Sequence, residues 1–466
     1  MAPVVPRPPL SCWSRPTVVG AAAGVLVTAL LVHTLRARPA RAEPPTATVG
    51  GPVPTDYADE AKLAELLWEH SPEVIEARHQ MGVAGSEVTR SRLYPNPQLD
   101  FGWNTIPVGQ TNPPDLQDPI ANVPNYVVGL SELFELAKRG PRQAAAVAEF
   151  ESTRAQTAAV FADRFFDLLR AIGRIATAQV RVAVIGEEVE GATRLLELER
   201  ARAEKGEIAR MQVDRWESEE ARLLAARDVA RTEIEAARAE CAASLAAACP
   251  PFESGDTARR FLRQGATAPL PTAWGPEIEA RRPDLSALSA ALRAADERVT
   301  LAKRQAIPDV TLRFGYTYDT FVVSGNQRQS LALGMQMPLP VANHGQADLE
   351  AASAAMLRAR QARDALVAAG QFSLDAATRQ RALIADRFVQ FKAALEKAAR
   401  LRSSMEGAAQ QGGMSQVDVL LARRRYEELQ LEGVELDGDA YDAALKIRQA
   451  AAVFPRPDVG AEEVRQ

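Results

Sequence analysis

The stretch Pro97-Gln98-Leu99-Asp100-Phe101 returns 211 residues later as Pro308-Asp309-Val310-Thr311-Leu312. A helical segment precedes each copy, and its first residues also correspond, since Ser71-Pro72-Glu73-Val74 matches Arg282-Pro283-Asp284-Leu285. After the second proline of each copy, apolar residues alternate with polar or small ones, which is the period of a strand. A helix and a strand repeated in fixed order predict an internally duplicated fold.

Two more correspondences extend the repeat. Gly129-Leu130 and Gly140 correspond to Gly334-Met335 and Gly345, and Lys205-Gly206-Glu207-Ile208-Ala209 corresponds to Gln411-Gly412-Gly413-Met414-Ser415. The repeated unit is therefore a helix, two strands and a long helical hairpin. Strands are predicted over 97–106, 125–136, 308–320 and 328–340. If these strands form a membrane barrel, we expect their aromatic and aliphatic residues to face lipid. Gln98, Asp100, Asn104, Thr311, Arg313 and Thr317 would then face the wet lumen of the barrel.

The helical hairpins are predicted over 141–247, with a tip near residue 206, and over 345–453, with a tip near residue 412. Apolar residues recur in each long helix at alternating spacings of four and three, as in coiled-coil packing. The first seam comprises Phe161, Phe165, Leu168, Ile172, Ile175, Gln179, Val182, Gly186, Val189, Thr193 and Leu196; the second comprises Ile384, Phe388, Phe391, Leu395, Ala398 and Met405, with Arg402 as a polar exception. About 65 helical residues span roughly 95–100 Å. Placed end to end, the shorter helices 209–247 and 276–306 match this length.

The N-terminus has the pattern of an export signal. Arg7 and Arg15 precede an apolar run from Thr17 to Leu35, and Ala40-Arg41-Ala42 offers a cleavage site. The alternative is an uncleaved membrane anchor, because the run is long enough to cross a bilayer. We expect residues 1–42 to be a signal peptide and 43–56 a linker. The first structural repeat is then 57–249, an irregular equatorial segment is 250–276, the second repeat is 277–454, and 455–466 is a polar tail.

The charge balance disfavours one class of partner. The chain has 55 basic and 60 acidic residues, and removal of residues 1–42, with five Arg and no acid, changes the net charge from −5 to −10. A nucleic-acid partner would require a basic face. Cys241 and Cys249 then remain, and eight residues along a continuous helix, about 12 Å, exceed the reach of a disulfide. Although Pro250 and Pro251 permit a bend, we expect two buried thiols.

Four strands cannot close a barrel by themselves, and an open sheet edge is not tolerated in lipid. Three copies would supply twelve strands, within the range of outer-membrane barrels. The predicted fold class is therefore mostly α with a membrane β-barrel to which several copies contribute strands. The alternatives are a small soluble sheet packed on helices, and a periplasmic coiled-coil scaffold without a pore.

Several motifs resemble those of the TolC-type outer-membrane efflux proteins. They are Arg281-Arg282-Pro283-Asp284-Leu285, Tyr94-Pro95-Asn96-Pro97, and the turn from Gly413 to Asp418 followed by Val419-Leu420, in addition to the duplicated unit. The resemblance covers residues from about Tyr57 to Phe454. Within the family, Glu135-Leu136-Ala137-Lys138-Arg139-Gly140 and Met337-Pro338-Leu339-Pro340 resemble the heavy-metal (cobalt/zinc/cadmium) branch.

The resemblance implies a homotrimer whose 12-stranded β-barrel continues into a 12-helix α-barrel. It also implies a place in the outer membrane of a Gram-negative bacterium, with a long periplasmic extension. Such a channel passively conducts substrate, here metal cations, from an inner-membrane pump and a periplasmic adaptor (membrane fusion) protein to the exterior. A drug or polypeptide export channel of the same fold is the alternative, because the pump selects the cargo. The partners are thus the trimer, the adaptor, the pump and outer-membrane lipid.

The resemblance also assigns the periplasmic tip that docks the adaptor. The tip residues are Gly206, Glu207, Ile208, Ala209, Gly412, Gly413, Met414 and Ser415. Ala209 departs from the family, in which Ser or Thr is common at that position. Asp418 is a candidate aperture charge, and its counterpart in the first repeat is Gln212. We also predict that Gly412 and Gly413 tolerate substitution poorly, because a tip turn there needs a positive φ.

No motif indicates an enzyme, a cofactor or a metal site. The chain offers no Gly-rich phosphate loop after a strand and no Ser/His/acid set at a recognisable spacing. His70, His79 and His344 are not at metal-ligand spacing with a Cys or with one another. Met335 and Met337 share a strand face and are interpreted as packing or lipid-facing residues. We therefore expect no catalytic or cofactor-binding residues.

Overall fold

A computed structural model describes residues 56–455, apart from 111–113, 115, 321–326, 412 and 414. The predicted signal peptide, all but the last residue of the predicted linker, and the tail beyond Pro455 lie outside the described residues. The helices are α1 Glu60–His70, α2 Pro72–Arg92, α3 Pro119–Asn122, α4 Arg139–Glu204, α5 Arg210–Leu245, α6 Gly255–Thr267, α7 Pro276–Arg281, α8 Pro283–Gln305, α9 Gln346–Gln410 and α10 Gln416–Ala450.

The strands form one antiparallel sheet in the order β1-β2-β3-β4. They are β1 Gln98–Asn104, β2 Asn125–Phe134, β3 Val310–Asp319 and β4 Gln329–Gln336. The fold is thus mostly helical with a small four-stranded sheet, as the two hydrophobic periods predict. The strands are shorter than predicted, chiefly because β4 ends before Met337-Pro338, and proline cannot donate to a ladder.

The helical segment predicted before the first strand is two helices, α1 and α2. Ser71 is extended (φ −65°, ψ 123°), and Pro72 takes the first position of α2. The helix predicted over 276–306 is divided in the same way at Arg282, before Pro283. Proline forces the preceding residue out of the α region but suits the first turn of a helix, so each break follows directly from X-Pro geometry.

Helix α4 has a different neighbour along each half. Its N-terminal half lies along α8, where Arg298 Nη2 donates to Glu149 Oε2 (3.0 Å). Its C-terminal half lies along α5, where Arg200 Nη2 donates to Glu217 Oε1 (2.8 Å). The two shorter helices therefore follow one another along α4, as their lengths predict. Helix α9 packs on α8 and α10, and α10 also contacts α4.

The main core lies around the middle of α4. None of the predicted seam residues of α4 is exposed. Phe161, Phe165, Leu168 and Ile172 are fully buried against α1, α5, α6 and α10. Burial of such side chains contributes about 1.5–3 kcal/mol each, so this region is the stable centre from which the hairpins extend.

The equatorial segment is more ordered than predicted, because it contains α6. The Ser254 hydroxyl accepts a hydrogen bond from Thr257 N (3.2 Å), which caps the helix, and Ala258 and Leu262 are buried. Prolines on both sides and glycines at 255 and 265 concealed this helix in the sequence. Gln179 of α4 holds the segment's start, because its amide accepts from Phe252 N (2.8 Å) and donates to Phe252 O (2.5 Å).

The prediction of two free thiols is wrong: Cys241 and Cys249 form a disulfide, with Cα atoms 6.1 Å apart. The estimate of about 12 Å assumed a continuous helix. Instead α5 ends at Leu245, and Ala246 adopts a left-handed conformation (φ 49°) that reverses the chain. Tyr57 Oη donates to Pro250 O (2.7 Å) and holds the returning segment against the core.

Candidate functional site

The tip between α4 and α5 is a tight turn. Gly206 has φ +74°. Its N–H donates to Ala203 O (3.0 Å), and Glu207 N donates to Arg202 O (2.9 Å). A left-handed residue after a helix C-terminus satisfies the last carbonyls in this way. Glu207 is exposed, whereas Ile208 packs on an apolar cluster with Leu196, Val213 and Trp216.

The tip between α9 and α10 is built differently. Gly412 and Met414 lie outside the described residues. Gly413 N donates to Ala408 O (3.0 Å), and Gly413 does not have a positive φ, so the predicted reason for glycine at that position is wrong. The Ser415 hydroxyl accepts from Val417 N (3.3 Å) and caps α10. Ala209 leaves α5 without such a cap.

The candidate aperture charge lies in the first turn of α10. The Asp418 side chain is exposed, and its N–H donates to Ser415 O (3.0 Å). A carboxylate in the first turn is favoured by the helix dipole and requires no further structural partner. Gln212 has the corresponding place in α5, where its N–H donates to Ala209 O (2.9 Å). A carboxylate therefore occupies this position of the returning helix in the second hairpin, and an amide occupies it in the first.

Above the tips, three buried carboxylates (Glu188, Glu219 and Glu427) join the two hairpins to one another, and the partly exposed Glu406 joins the two helices of the second hairpin. Sequence reasoning missed this arrangement, apart from the polar seam position at Arg402. Arg402 Nη1 of α9 donates to Glu188 Oε1 of α4 (3.0 Å), and its guanidinium lies 4.3 Å from the ring centre of Tyr426. The exception in the seam therefore has a partner on the other hairpin. Arg423 Nε of α10 donates to Glu406 Oε1 of α9 (2.7 Å).

A second set of ion pairs joins α5 to α10. Arg424 Nε donates to Glu219 Oε2 (3.0 Å), and Arg222 Nη2 donates to Glu427 Oε2 (2.6 Å). Arg222 also donates to Glu219 Oε1 (2.9 Å). Glu219 and Glu427 are buried, so removing one partner would leave an uncompensated charge. We call these two sets the hairpin ion pairs.

The buried carboxyls of Glu188 and Glu219 differ in pKa. Burial raises the pKa of the Glu188 carboxyl, and Arg402 and Arg423 oppose that rise only in part. Burial also acts to raise the pKa of Glu219, but hydrogen bonds from Arg222 and Arg424 outweigh it, so that pKa lies below its usual value. As acid is added, the Glu188 carboxylate in the α4–α9 contact is therefore protonated at a higher pH than the Glu219 carboxylate in the α5–α10 contact.

The sheet has one apolar and one polar face. Across the four strands, Phe101 pairs with Val128, Val128 with Tyr316 and Tyr316 with Leu331. The adjacent rows on this face contain Leu99, Trp103, Tyr126, Leu130, Leu312, Phe314, Tyr318, Leu333 and Met335, with Glu132 and Gln329 as the polar exceptions. The opposite face carries Gln98, Asp100, Asn104, Asn125, Ser131, Thr311, Arg313, Thr317 and Asp319, with several glycines and with Val127, Leu133 and Ala332 as the apolar exceptions. Most of the large side chains on the apolar face are exposed.

The remaining sequence candidates do not assemble into a site. Among the described residues, no three His, Cys, Asp or Glu side chains are grouped as metal ligands. Met335 belongs to the apolar face of the sheet, and His344 lies in the exposed turn before α9. Within the described part of the chain, no helix combines the length and apolar character needed to cross a membrane.

One protein-family model matches part of the second half of the chain. Residues 274–453 match the family model of the outer membrane efflux protein. The matched region begins at the equatorial segment and extends to the end of α10. A comparison with curated protein sequences finds no match.

Solved outer-membrane channels share the fold. VceC of Vibrio cholerae is 17% identical with a TM-score of 0.68, over 86% of this chain and 97% of that chain. CmeC of Campylobacter jejuni is 13% identical with a TM-score of 0.69, over 87% and 89%. CusC, whose structures concern transmembrane channel formation, is 14% identical with a TM-score of 0.70, over 84% and 92%. The chain thus has the fold of these channels.

Proposed function

We propose that this protein is the outer-membrane channel of a tripartite efflux system and conducts substrate passively. The observation that carries the proposal is the sheet, which is apolar on one face, polar on the other and continuous with two helices of 66 and 65 residues. At about 3.3 Å per residue, the ten-residue strands β2 and β3 span roughly 33 Å, enough for the hydrocarbon core of a bilayer. The match of residues 274–453 supports this assignment.

A barrel with a lumen requires several copies. Strands β1 and β4 are the two edges of the sheet, and their outer hydrogen-bonding groups have no strand partner in the described chain. A homotrimer would pair β1 of each copy with β4 of the next and close twelve strands. The matching order of elements before and after the equatorial segment supports an internal duplication, with two strands and one hairpin from each repeat.

Helix α9 carries an apolar stripe that a neighbouring copy would cover. Leu357, Phe372, Leu383, Val389 and Leu401 are each 48–74% exposed. At 100° per residue they fall within about a third of the helix circumference. Exposed apolar stripes of this kind mark interaction surfaces. In the proposed trimer, the stripe supports a tunnel of twelve helices extending roughly 100 Å below the barrel.

The periplasmic end would receive an adaptor protein and an inner-membrane pump. The two tip turns, at Gly206 to Ala209 and Gly412 to Ser415, and the aperture charge at Asp418 would form its mouth. Opening would separate the hairpins, and the hairpin ion pairs are contacts that such a movement must rearrange. The buried disulfide also supports export, because disulfides persist in oxidising compartments such as the periplasm.

We propose metal cations as the cargo, on the resemblance of 135–140 and 337–340 to the heavy-metal branch. The polar face of the sheet carries hydroxyl, amide and carboxylate groups, which suit a wet lumen without a tight binding site. The cargo would therefore pass unbound, selected by the pump. Loss of zinc, cobalt or copper tolerance on gene deletion would support this cargo. Unchanged metal tolerance with lost drug tolerance would contradict it.

The decisive experiment is the oligomeric mass and single-channel conductance of the mature protein, extracted from outer membranes in mild detergent. We expect a trimer that conducts ions across a planar bilayer, with low conductance if the mouth rests closed. A monomer or dimer that is released without detergent and does not conduct would overturn the channel assignment. It would indicate a periplasmic scaffold instead.

A further inference from the structure

The helices meet the sheet in one layer. Arg139, at the start of α4, donates from Nη2 to Arg92 O at the end of α2 (2.8 Å). Leu136 N, after β2, donates to Asp309 Oδ1, before β3 (3.1 Å). Gly345, before α9, packs on the end of α8, since a Cβ there would lie 3.7 Å from Ala302 O. We call this junction the basal layer.

The basal layer holds more bases than acids in an acidic chain. Its charged residues are Arg90, Arg92, Lys138, Arg139, Arg142, Lys303 and Arg304, against Glu87, Glu132, Glu135, Asp309, Asp348 and Glu350. Three of the acids are already in ion pairs, with Arg90, Arg142 and Lys138. By contrast, the whole chain has 60 acidic and 55 basic residues. The layer therefore has a small excess of positive charge at the base of the sheet.

Four of these bases have no carboxylate partner within the described residues. Arg92, Lys303 and Arg304 are exposed and make no hydrogen bond or ion pair with their side chains there. Arg139 stacks over Tyr94, with its guanidinium 3.7 Å from the ring centre, and its Nε is buried without a partner in the same described set. Bases in the last turns of α2 and α8 suit the helix dipoles, but Arg139 is at a helix start, where the dipole disfavours it.

Exposed apolar side chains border these bases. Tyr94 is 70% exposed and Val341 86% exposed, and Leu93, Leu136 and Leu339 are also exposed. They lie where the strands end, on the same segments as the basic residues. An aromatic ring, aliphatic side chains and arginines at one level are typical of the boundary between hydrocarbon and headgroups.

We propose that the basal layer binds the phosphate headgroups of anionic phospholipid in the periplasm-facing leaflet of the membrane. Guanidinium groups match phosphate oxygens in bidentate geometry, and anionic leaflets attract basic clusters. The apolar side chains would enter the acyl boundary while Arg92, Arg139, Lys303 and Arg304 contact the headgroups. This inference rests on the proposed channel function, because it requires the sheet to span the bilayer.

The test compares lipid retained by purified trimers. The protein is reconstituted in vesicles of phosphatidylcholine with phosphatidylglycerol, re-extracted, and its bound lipids are quantified. Wild type should enrich phosphatidylglycerol at least about tenfold. The variant with Arg92→Gln, Arg139→Gln, Lys303→Gln and Arg304→Gln should lose that enrichment. The matched control replaces Arg210, Arg215, Lys397 and Arg400 with Gln, three Arg and one Lys on exposed positions of α5 and α9, and should keep it.

A measurement on the wild type alone covers the case in which the fourfold variant does not fold. High salt should reduce the enrichment, because screening weakens charge–headgroup contacts. The proposal is overturned if wild type shows no enrichment, or if the folded basal variant keeps it. A basal variant with unchanged lipid but altered ion selectivity would place the layer in the lumen instead. Failure of the wild type to insert into vesicles would reject the channel assignment itself.

Discussion

At the scale of single residues, Gly206 is placed by backbone geometry. Its φ of +74° lies in the left-handed region, and a Cβ there would meet no heavy atom within 4 Å. Replacing it therefore costs backbone strain alone, about 1–2 kcal/mol for Gly206→Ala. We expect the midpoint of urea unfolding to shift to a lower urea concentration. The fluorescence of Trp216, which is buried near the tip, monitors the unfolding.

Two further substitutions test whether backbone strain causes the loss of stability in Gly206→Ala. Gly413→Ala should be nearly neutral, because φ there is not positive and the nearest atom, Ala408 O, would lie at an ordinary contact distance of 3.6 Å. Gly206→Asn should recover part of the loss, since Asn tolerates the left-handed region. Equal destabilisation by Gly206→Ala and Gly413→Ala would contradict the assignment of strain to the first tip.

Also at this scale, two glycines enclose one aromatic ring. A Cβ at Gly173 of α4 would lie 2.6 Å from Tyr441 of α10, and a Cβ at Gly265 of α6 would lie 2.5 Å from the other edge of that ring. Tyr441 is buried, and its hydroxyl donates to Leu169 O (3.4 Å). The ring therefore joins three helices at the equator.

The matched comparison is Gly173→Ala against Gly186→Ala, both inside α4. Alanine at Gly186 has open space and should stabilise the helix by about 0.5–1 kcal/mol. Alanine at Gly173 must displace the Tyr441 ring, and overpacking of that kind costs about 1–3 kcal/mol. We expect thermal unfolding midpoints to move in opposite directions. A rise for both variants would show that the ring is free to move.

At the scale of elements, the hairpin ion pairs should give opposite pH dependences. The raised pKa of Glu188 means that the folded protein binds a proton more readily than the unfolded chain above pH 4.5, so this group's contribution to stability falls as pH rises through that window. The lowered pKa of Glu219 means the reverse, because its stabilisation is present above pH 4.5 and is lost as pH falls through the folded pKa.

Two single variants separate these contributions. Glu188→Gln should flatten the loss of stability with rising pH above 4.5, whereas Glu219→Gln should remove stability at neutral pH and reduce the loss in acid. The measurement is the thermal midpoint of the purified protein between about pH 3 and pH 8, a range that brackets the usual glutamate pKa. Parallel pH profiles for the two variants would refute the difference between the two ion-pair sets.

The elements also show how far a sequence can be interpreted. Alternation of period two placed all four strands, because each side of the sheet meets a different environment at every position. The spacing of four and three predicted the seams of α4 and α9 equally well. It also marked Arg402 as the polar position in α9, and its partner Glu188 lies 214 residues away. Helix α6 was not predicted, since the prolines on both sides of it and its two glycines signal a loop. Its order depends on Gln179 and on Asp437 of α10, which pairs with Arg263. Such tertiary contacts have no local signature. The disulfide was missed for the same reason, because the reversal at Ala246 is not encoded by a glycine.

At the scale of the whole molecule, the proposed barrel closes where the edge strands β1 and β4 of neighbouring copies would meet. Asp100 on the edge strand β1 and Ala332 on the edge strand β4 lie in one row of the sheet with Gly129 and Gly315 of the inner strands. Cys241 and Cys249 are paired, and Cys12 lies in the predicted signal peptide, so introduced cysteines are the free thiols of the mature protein proposed here.

The prediction concerns Asp100→Cys combined with Ala332→Cys, treated in outer membranes with a short bismaleimide. If β1 of one copy pairs with β4 of the next, covalent products should extend to three copies on a denaturing gel and stop there. Gly129→Cys with Gly315→Cys is the matched control, since β2 and β3 are neighbours within one chain and should yield only internally linked monomer. Products ending at two copies would exclude the trimer, and an open ladder of higher multiples would indicate edge-to-edge association without closure. Only a ring of three satisfies every strand edge with twelve strands, which is why the length of the ladder, rather than the presence of cross-links, decides the architecture.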